Sequence, residues 1–335
     1  MMSKKSLQKQ ADFVADRFTQ INKDFLIMYG ILLWEFDDEI DVLKETNSVK
    51  SMVIGATRHA RSDVTKIFKR QYKDNGYTGK NFPIRYPSEY KDLQNRVGVT
   101  FTENGKKVFV SVNDAFARIN STDKKDFERL ARQVADSGLR VQHNGISYRL
   151  DNFARYTTLK GIKDINLYVQ DILYEEMGAD GWEIDYHDNP RPSHAYMGGK
   201  QFVVGKARTI NGIYFESFEE VAAPRLVEPN CLHFKIPIVC GVTKPLHTTA
   251  QLAQWRKADQ AKVKYAGKDF TKYEATQVQR RLKEEMQKCN DRITIAQSGG
   301  FDVLRRIEQS KRDVLFTEYK KFSKAMGLEM KIKRR

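Results

Sequence analysis

The stretch RPSHAYMGGKQF, residues 191–202, decides how the middle of this 335-residue chain is read. Pro192, Gly198 and Gly199 punctuate it as turns. From Lys200 the pattern KQFVVG (200–205) alternates as a half-buried strand does. The stretch is therefore a turn feeding a strand, with Gly198 and Gly199 making the turn tight. Ser193 beside His194 invites a catalytic reading. Neighbours on a turn rarely face each other well enough for a base to take the serine proton, and no G-x-S-x-G elbow is present. MGGK (197–200) is not a phosphate loop: Gln201 follows Lys200 where Ser or Thr is required, and the earlier Gly is missing.

Working outward, WEIDYH (182–187) and CLHFKIPIVCG (231–241) read as further strands, and Pro237 places the second at a sheet edge or bulge. VGVTFTENGKKVFVSV (97–112) predicts a hairpin turning at ENG, and LRVQHNGISYRL (139–150) two short strands around Asn144-Gly145. Helices are predicted over 5–46, 47–73, 121–137 and 151–178, the last closed by Gly178, and NGYTGKNFPIRYPS (75–88) reads as a loop. Two more follow at 271–297 and 301–327, parted by SGG (298–300). The expected fold class is α+β: a small core at 97–245 between a helical N-terminal arm (1–96) and a basic helical C-terminal region (246–335). The stripe Phe13, Val14, Phe18, Ile21, Phe25, Met28, Leu32 suits either docking on another molecule, including a second copy, or packing within its own helical hairpin.

The formal net charge is +15, which suits an anionic partner, nucleic acid or an acidic protein surface, while solubility is the alternative reading of a basic tail. Residues 251–335 hold 22 Lys and Arg against 11 Asp and Glu, so most of the excess sits there. Lys331, Lys333, Arg334 and Arg335 in the terminal MKIKRR are the candidate phosphate contacts. Aromatic residues interleave with these basic segments and read as packing rather than as base-stacking platforms. Three cysteines are too few for a disulfide scaffold and fit a reducing compartment. FLIMYGILLW (25–34) is about half a membrane span, so no bilayer is required, and no secretory leader is expected from MMSKKSLQKQADF.

Polar density peaks between 182 and 241. His187, His194, Cys231 and His233 form a ligand mix that zinc accepts, although the His-x6-His and Cys-x-His spacings match no standard finger. The alternative is a buried hydrogen-bonded network that fixes a loop-rich core. The expected cofactor is accordingly none, with zinc the one ion the set would take.

HDNPRPSHAYMGGKQF followed by PNCLHFKIPIVCG resembles the phage minor capsid protein 2 family, grouped with the phage Mu F-like head morphogenesis proteins. The matching positions are His187, Arg191, Pro192, Ser193, His194, Gly199, Lys200, Asn230, Cys231, His233 and Pro237. The likeness extends through ARQVADSGLRV (131–141) and KYAGKDFTKYEATQVQRRLKEEM (264–286). Asn189-Pro190 and Leu232 depart from the family's Gly-Ala and Arg. The resemblance implies a Mu F-like core and a structural protein rather than an enzyme. It implies a low-copy virion component inside the head at the portal vertex, assembled in the host cytoplasm. Its implied partners are the portal protein, other head-interior proteins and viral double-stranded DNA, with roles in head assembly and DNA packaging or delivery. The competing class is a nuclease or transferase using the His/Cys cluster.

Overall fold

The computed structural model describes residues 4–35, 39–74, 88–228, 231–330 and 332. The N-terminal half is built on α1 (Lys4–Trp34) and α2 (Val42–Asp74). One helix was expected to run to residue 46, but α1 ends at Trp34. The break has a tertiary cause. Asn120 accepts from the Ile40 backbone N–H (3.0 Å) and donates to its carbonyl (3.2 Å), which holds this backbone for itself. Asp41 then caps α2 by accepting from the Lys44 N–H at 3.0 Å. The predicted loop at 75–88 lies, except for Ser88, outside the described residues.

β1 (Val97–Glu103) and β2 (Lys106–Ser111) form the expected hairpin. Its turn residues Asn104 and Gly105 both have positive φ, 49° and 75°, as a tight hairpin turn requires. The sequence reading missed α3 (Val112–Asn120), which starts where Ser111 accepts from the Asp114 N–H. α4 (Phe127–Ser137) follows and stops at Gly138. β3 (Arg140–His143) and β4 (Ile146–Arg149) make the second hairpin, and α5 (Leu150–Met177) ends at the left-handed Gly178 as predicted. The first sheet is antiparallel in the order β2-β1-β3-β4.

The second half carries β5 (Gly181–Ile184), β6 (Gln201–Val203), β7 (Arg208–Ile210) and β8 (Ile213–Ser217). The short helices α6 (Phe218–Val221) and α7 (Ala223–Leu226) precede β9 (Lys235–Ile238). These strands form a sheet in the order β7-β8-β6-β5-β9, antiparallel except for the β6–β8 pair. Pro237 sits on the edge strand opposite Trp182, where a missing N–H is tolerated. The predicted strands at 182–187, 200–205 and 231–241 are all present but shorter. β7 and β8 were missed, although Asn211-Gly212 is a turn signal of the same kind as the two that were used.

α8 (Thr249–Gln260), the hairpin of β10 (Lys262–Tyr265) and β11 (Lys268–Thr271), α9 (Lys272–Ser298) and α10 (Asp302–Ala325) complete the chain. Tyr265 and Phe270 meet Phe322 edge-on, with ring centroids 5.2 and 5.6 Å apart. These aromatic side chains are used in packing. No helix among the described residues is long and apolar enough to cross a membrane.

One buried cluster joins α1, α2, the first sheet, α3, α4, α5 and Ile295 of α9. Phe18, Ile21 and Phe25 of the N-terminal stripe lie inside it, whereas Phe13 is 56% exposed. The expected boundary near residue 96 therefore runs through continuous packing, and most of the stripe is covered by the chain itself. A smaller core under the second sheet contains Trp182, Ile184, Met197, Phe202, Phe218, Leu226 and Cys231. Trp182 is held between the Tyr174 ring (4.5 Å between centroids) and the Lys235 ammonium 3.9 Å away. Cys231, Cys240 and Cys289 are all buried free thiols. Burial pushes the Cys240 thiol up to about 12, with Asp180 adding to the shift, so it stays protonated.

Candidate functional site

The turn predicted at 191–200 is a loop strapped across the end of β5. Gly199 N–H donates to the Ile184 carbonyl and Ile184 N–H to the Lys200 carbonyl (2.8 and 2.9 Å), closing the loop at its base. Pro192–His194 form a short 3-10 turn that places His194 on the inner side, 2% exposed. The second half of the signature arrives from α7. Asp185 fixes it twice, donating its N–H to the Phe234 carbonyl (3.1 Å) and accepting the Phe234 N–H on its carboxylate (2.5 Å). Cys231 and His233 thus lie on an irregular segment before β9, not on a strand as expected, and at its end the Asp185 carboxylate takes the Phe234 N–H in place of a ladder carbonyl. Lys163 of α5 reaches the Leu226 and Cys231 carbonyls from below.

Glu228 joins the two halves, and the sequence reading missed it. Its Oε2 accepts from Arg191 at 2.7 Å and lies 2.9 Å from His194 Nε2. Hydrogen bonding to His194, reinforced by Arg191, holds this carboxyl below the usual carboxylate range, so it is ionised at neutral pH. An ionised acceptor requires His194 Nε2 to carry a proton. The residue stands one position before the PNC triplet, so it was in plain view, but nothing in the chain marks a lone Glu as the partner of a His 34 positions away.

Three of the four expected cluster residues converge. One ring nitrogen from each of His194 and His233 and the Cys231 sulfur lie within 4.8 Å of one another, and all three residues are buried. Cys231 Sγ is 3.7 Å from His233 Nδ1. The His187 ring packs against that of His233, 4.1 Å between centroids, and its Nδ1 lies 3.1 Å from the Asp188 carbonyl. The remaining signature residues do other work. Ser193 is exposed, and its carbonyl accepts from Arg225 Nε at 3.0 Å. Lys200 sits 3.1 Å above the Tyr196 ring and 3.5 Å from Glu216. Asn230, Lys331, Lys333, Arg334 and Arg335 lie outside the described residues.

α8 clamps the loop from outside. Arg256 donates to the Gly198 carbonyl (3.0 Å), and Asp259 accepts from Tyr186 Oη (2.5 Å) and the Asn189 N–H (2.8 Å). Trp255 stacks on Tyr186 at 4.9 Å, and Leu252 fills the space over Gly199. Gly199 has φ +75°, and a Cβ there would stand 2.4 Å from Leu252 Cδ2. Gly199→Ala is therefore expected to cost about 2–3 kcal/mol, from the left-handed backbone and the overlap together. Leu252→Ala in the same chain should relieve the overlap part. Urea midpoints of the single and double variants check this, and an unchanged midpoint for Gly199→Ala would contradict the clamp.

A buried cluster, a loop tied at its base and a helix laid across it make up this part of the α+β fold, with His194, Cys231 and His233 all buried. The sequence model of the phage minor capsid protein 2 family matches residues 86–318, well over half of the chain, and the chain belongs to that family. It is thus a minor capsid protein, a component of the phage virion. No curated protein and no solved structure was found to match it.

Proposed function

We propose that this minor capsid protein is a low-copy structural component on the inside of the head near the portal, where it assists head assembly and the packaging or delivery of DNA. Membership of the minor capsid family over residues 86–318 carries this reading. The charge distribution supports it, since most of the +15 excess falls in the last quarter of the chain. On the β10–β11 hairpin, Tyr265 and Phe270 face α10, while Lys262, Lys264 and Lys268 are exposed. Lys283, Lys320, Lys321 and Lys324 extend the exposed basic surface along α9 and α10. Such a surface suits phosphates, in a sequence-independent and salt-sensitive way. The terminal Lys331, Lys333, Arg334 and Arg335 would add to it.

Imaging of intact particles carrying a labelled copy of the chain tests the location. Density at the portal vertex is expected, and density spread evenly over the shell would overturn the placement. For the DNA contact, the purified chain should bind random duplex DNA at low salt and lose affinity roughly tenfold or more as salt is raised to physiological strength. No binding at low salt, or binding indifferent to salt, would remove DNA from its partners.

A further inference from the structure

We infer that His194, Cys231 and His233 form a zinc site that staples the two halves of the signature together. The donor set is one soft sulfur and two imidazoles, a combination zinc accepts at tetrahedral sites. All three side chains are buried, at 2%, 6% and 1% exposure, so an ion among them would be shielded from water. A tetrahedral zinc with ordinary bond lengths holds a sulfur and a nitrogen about 3.6 Å apart, and Cys231 Sγ and His233 Nδ1 are 3.7 Å apart. A ring nitrogen of His194 is already within 4.8 Å of the Cys231 sulfur and of a ring nitrogen of His233, so a side-chain adjustment of about 1 Å brings His194 to the third vertex. A water or the ring of His187, packed on His233, completes the tetrahedron.

Glu228 supplies the second observation. A ligating histidine commonly gives its other ring N–H to a carboxylate, which fixes the tautomer and orients the ring. His194 has this arrangement, with Nε2 2.9 Å from Glu228 Oε2. Arg191 holds the same oxygen at 2.7 Å, so the carboxylate is aimed independently of the histidine. Binding replaces the Cys231 S–H by a sulfur–zinc bond and releases that proton to solvent. The ion and thiolate together carry one positive charge, which faces the Glu228 carboxylate.

The test uses the full chain, stripped with a chelator and re-equilibrated with cobalt(II) without oxygen. About one ion per chain is expected, with the visible bands of a tetrahedral site and a near-ultraviolet thiolate-to-cobalt absorption. Zinc should bleach both. Cys231→Ser should abolish the thiolate absorption, whereas Cys240→Ser and Cys289→Ser should retain it. Because Cys231→Ser could also fail to fold, alkylation of the wild-type chain is followed by peptide mapping. Zinc should slow modification of Cys231 by about tenfold or more relative to chelated protein. The site is refuted if folded wild-type chain takes up less than about a tenth of an ion. It is equally refuted if the thiolate absorption survives Cys231→Ser or if zinc leaves Cys231 alkylation unchanged; Cys231 and His233 are then joined only by a thiol–imidazole hydrogen bond.

Discussion

Arg292→Met is expected to lower stability by about 3 kcal/mol or more, seen as a large fall in the urea midpoint. Arg292 projects from α9 between two elements. It reaches Asp136 of α4 at 2.5 Å and Glu308 of α10 at 3.2 Å. Glu308 is wholly buried, and its other cation is Lys311 at 3.0 Å. Removing the guanidinium leaves a buried carboxylate with Lys311 as its one cation among the described residues, and the cost comes from that under-compensated charge rather than from the pair's own attraction. Arg292→Met combined with Glu308→Leu should therefore recover about 1–3 kcal/mol relative to the sum of the single changes. Strictly additive effects would show that the two side chains do not act together.

The same pair sets an acid limit. Burial alone would raise the Glu308 carboxyl, but hydrogen bonds from Lys311 and Arg292 bring it below the usual carboxylate range. A depressed carboxyl stabilises the fold above its unfolded value, near 4.3, and that contribution disappears as pH falls through the folded value. Urea midpoints followed from neutral pH into this acid range should fall more steeply for wild type than for Glu308→Gln.

Phe25→Ala is expected to cost about 3–5 kcal/mol. The ring is fully buried and lies 5.7 and 5.9 Å from the Tyr29 and Phe116 rings, so truncation opens a cavity between α1 and α3. Tyr29 additionally donates its hydroxyl to the Ala115 carbonyl at 2.8 Å, tying the same two helices. Hydrogen exchange should show loss of protection not only in α1 but in β1 and α5, which share its buried cluster. Loosening confined to α1 would mean that the N-terminal helices are a separable arm.

These outcomes bear on how much of the molecule was legible beforehand. The hairpins at Asn104-Gly105 and Asn144-Gly145 and the helix closed by Gly178 were readable because positive φ favours a few residue types at a few positions. Asn211-Gly212 carried the same signal for β7 and β8 and was passed over. The break after Trp34 depends instead on Asn120, 80 positions from Ile40, and no local pattern reports that partner. In the site, the types and order of His194, Cys231 and His233 were visible, but Glu228, Asp185 and the α8 clamp through Arg256 and Asp259 were not. Acidic and basic side chains are common on surfaces, and only the fold shows which of them are aimed inward.

By itself, the sequence determined the α+β class, the basic bias of the last quarter, and a two-part signature strong enough to place the chain among phage minor capsid proteins. Local steric preference and linear composition suffice for such features. Only the tertiary structure decided that Phe18, Ile21 and Phe25 are spent on the chain's own core, that Ser193 faces outward, and that His194, Cys231 and His233 meet. The physical reason is that burial and convergence depend on contacts between distant segments. The ties from Asp185 to Phe234 and from Glu228 to His194 each span more than 30 residues, and a linear pattern holds no record of them.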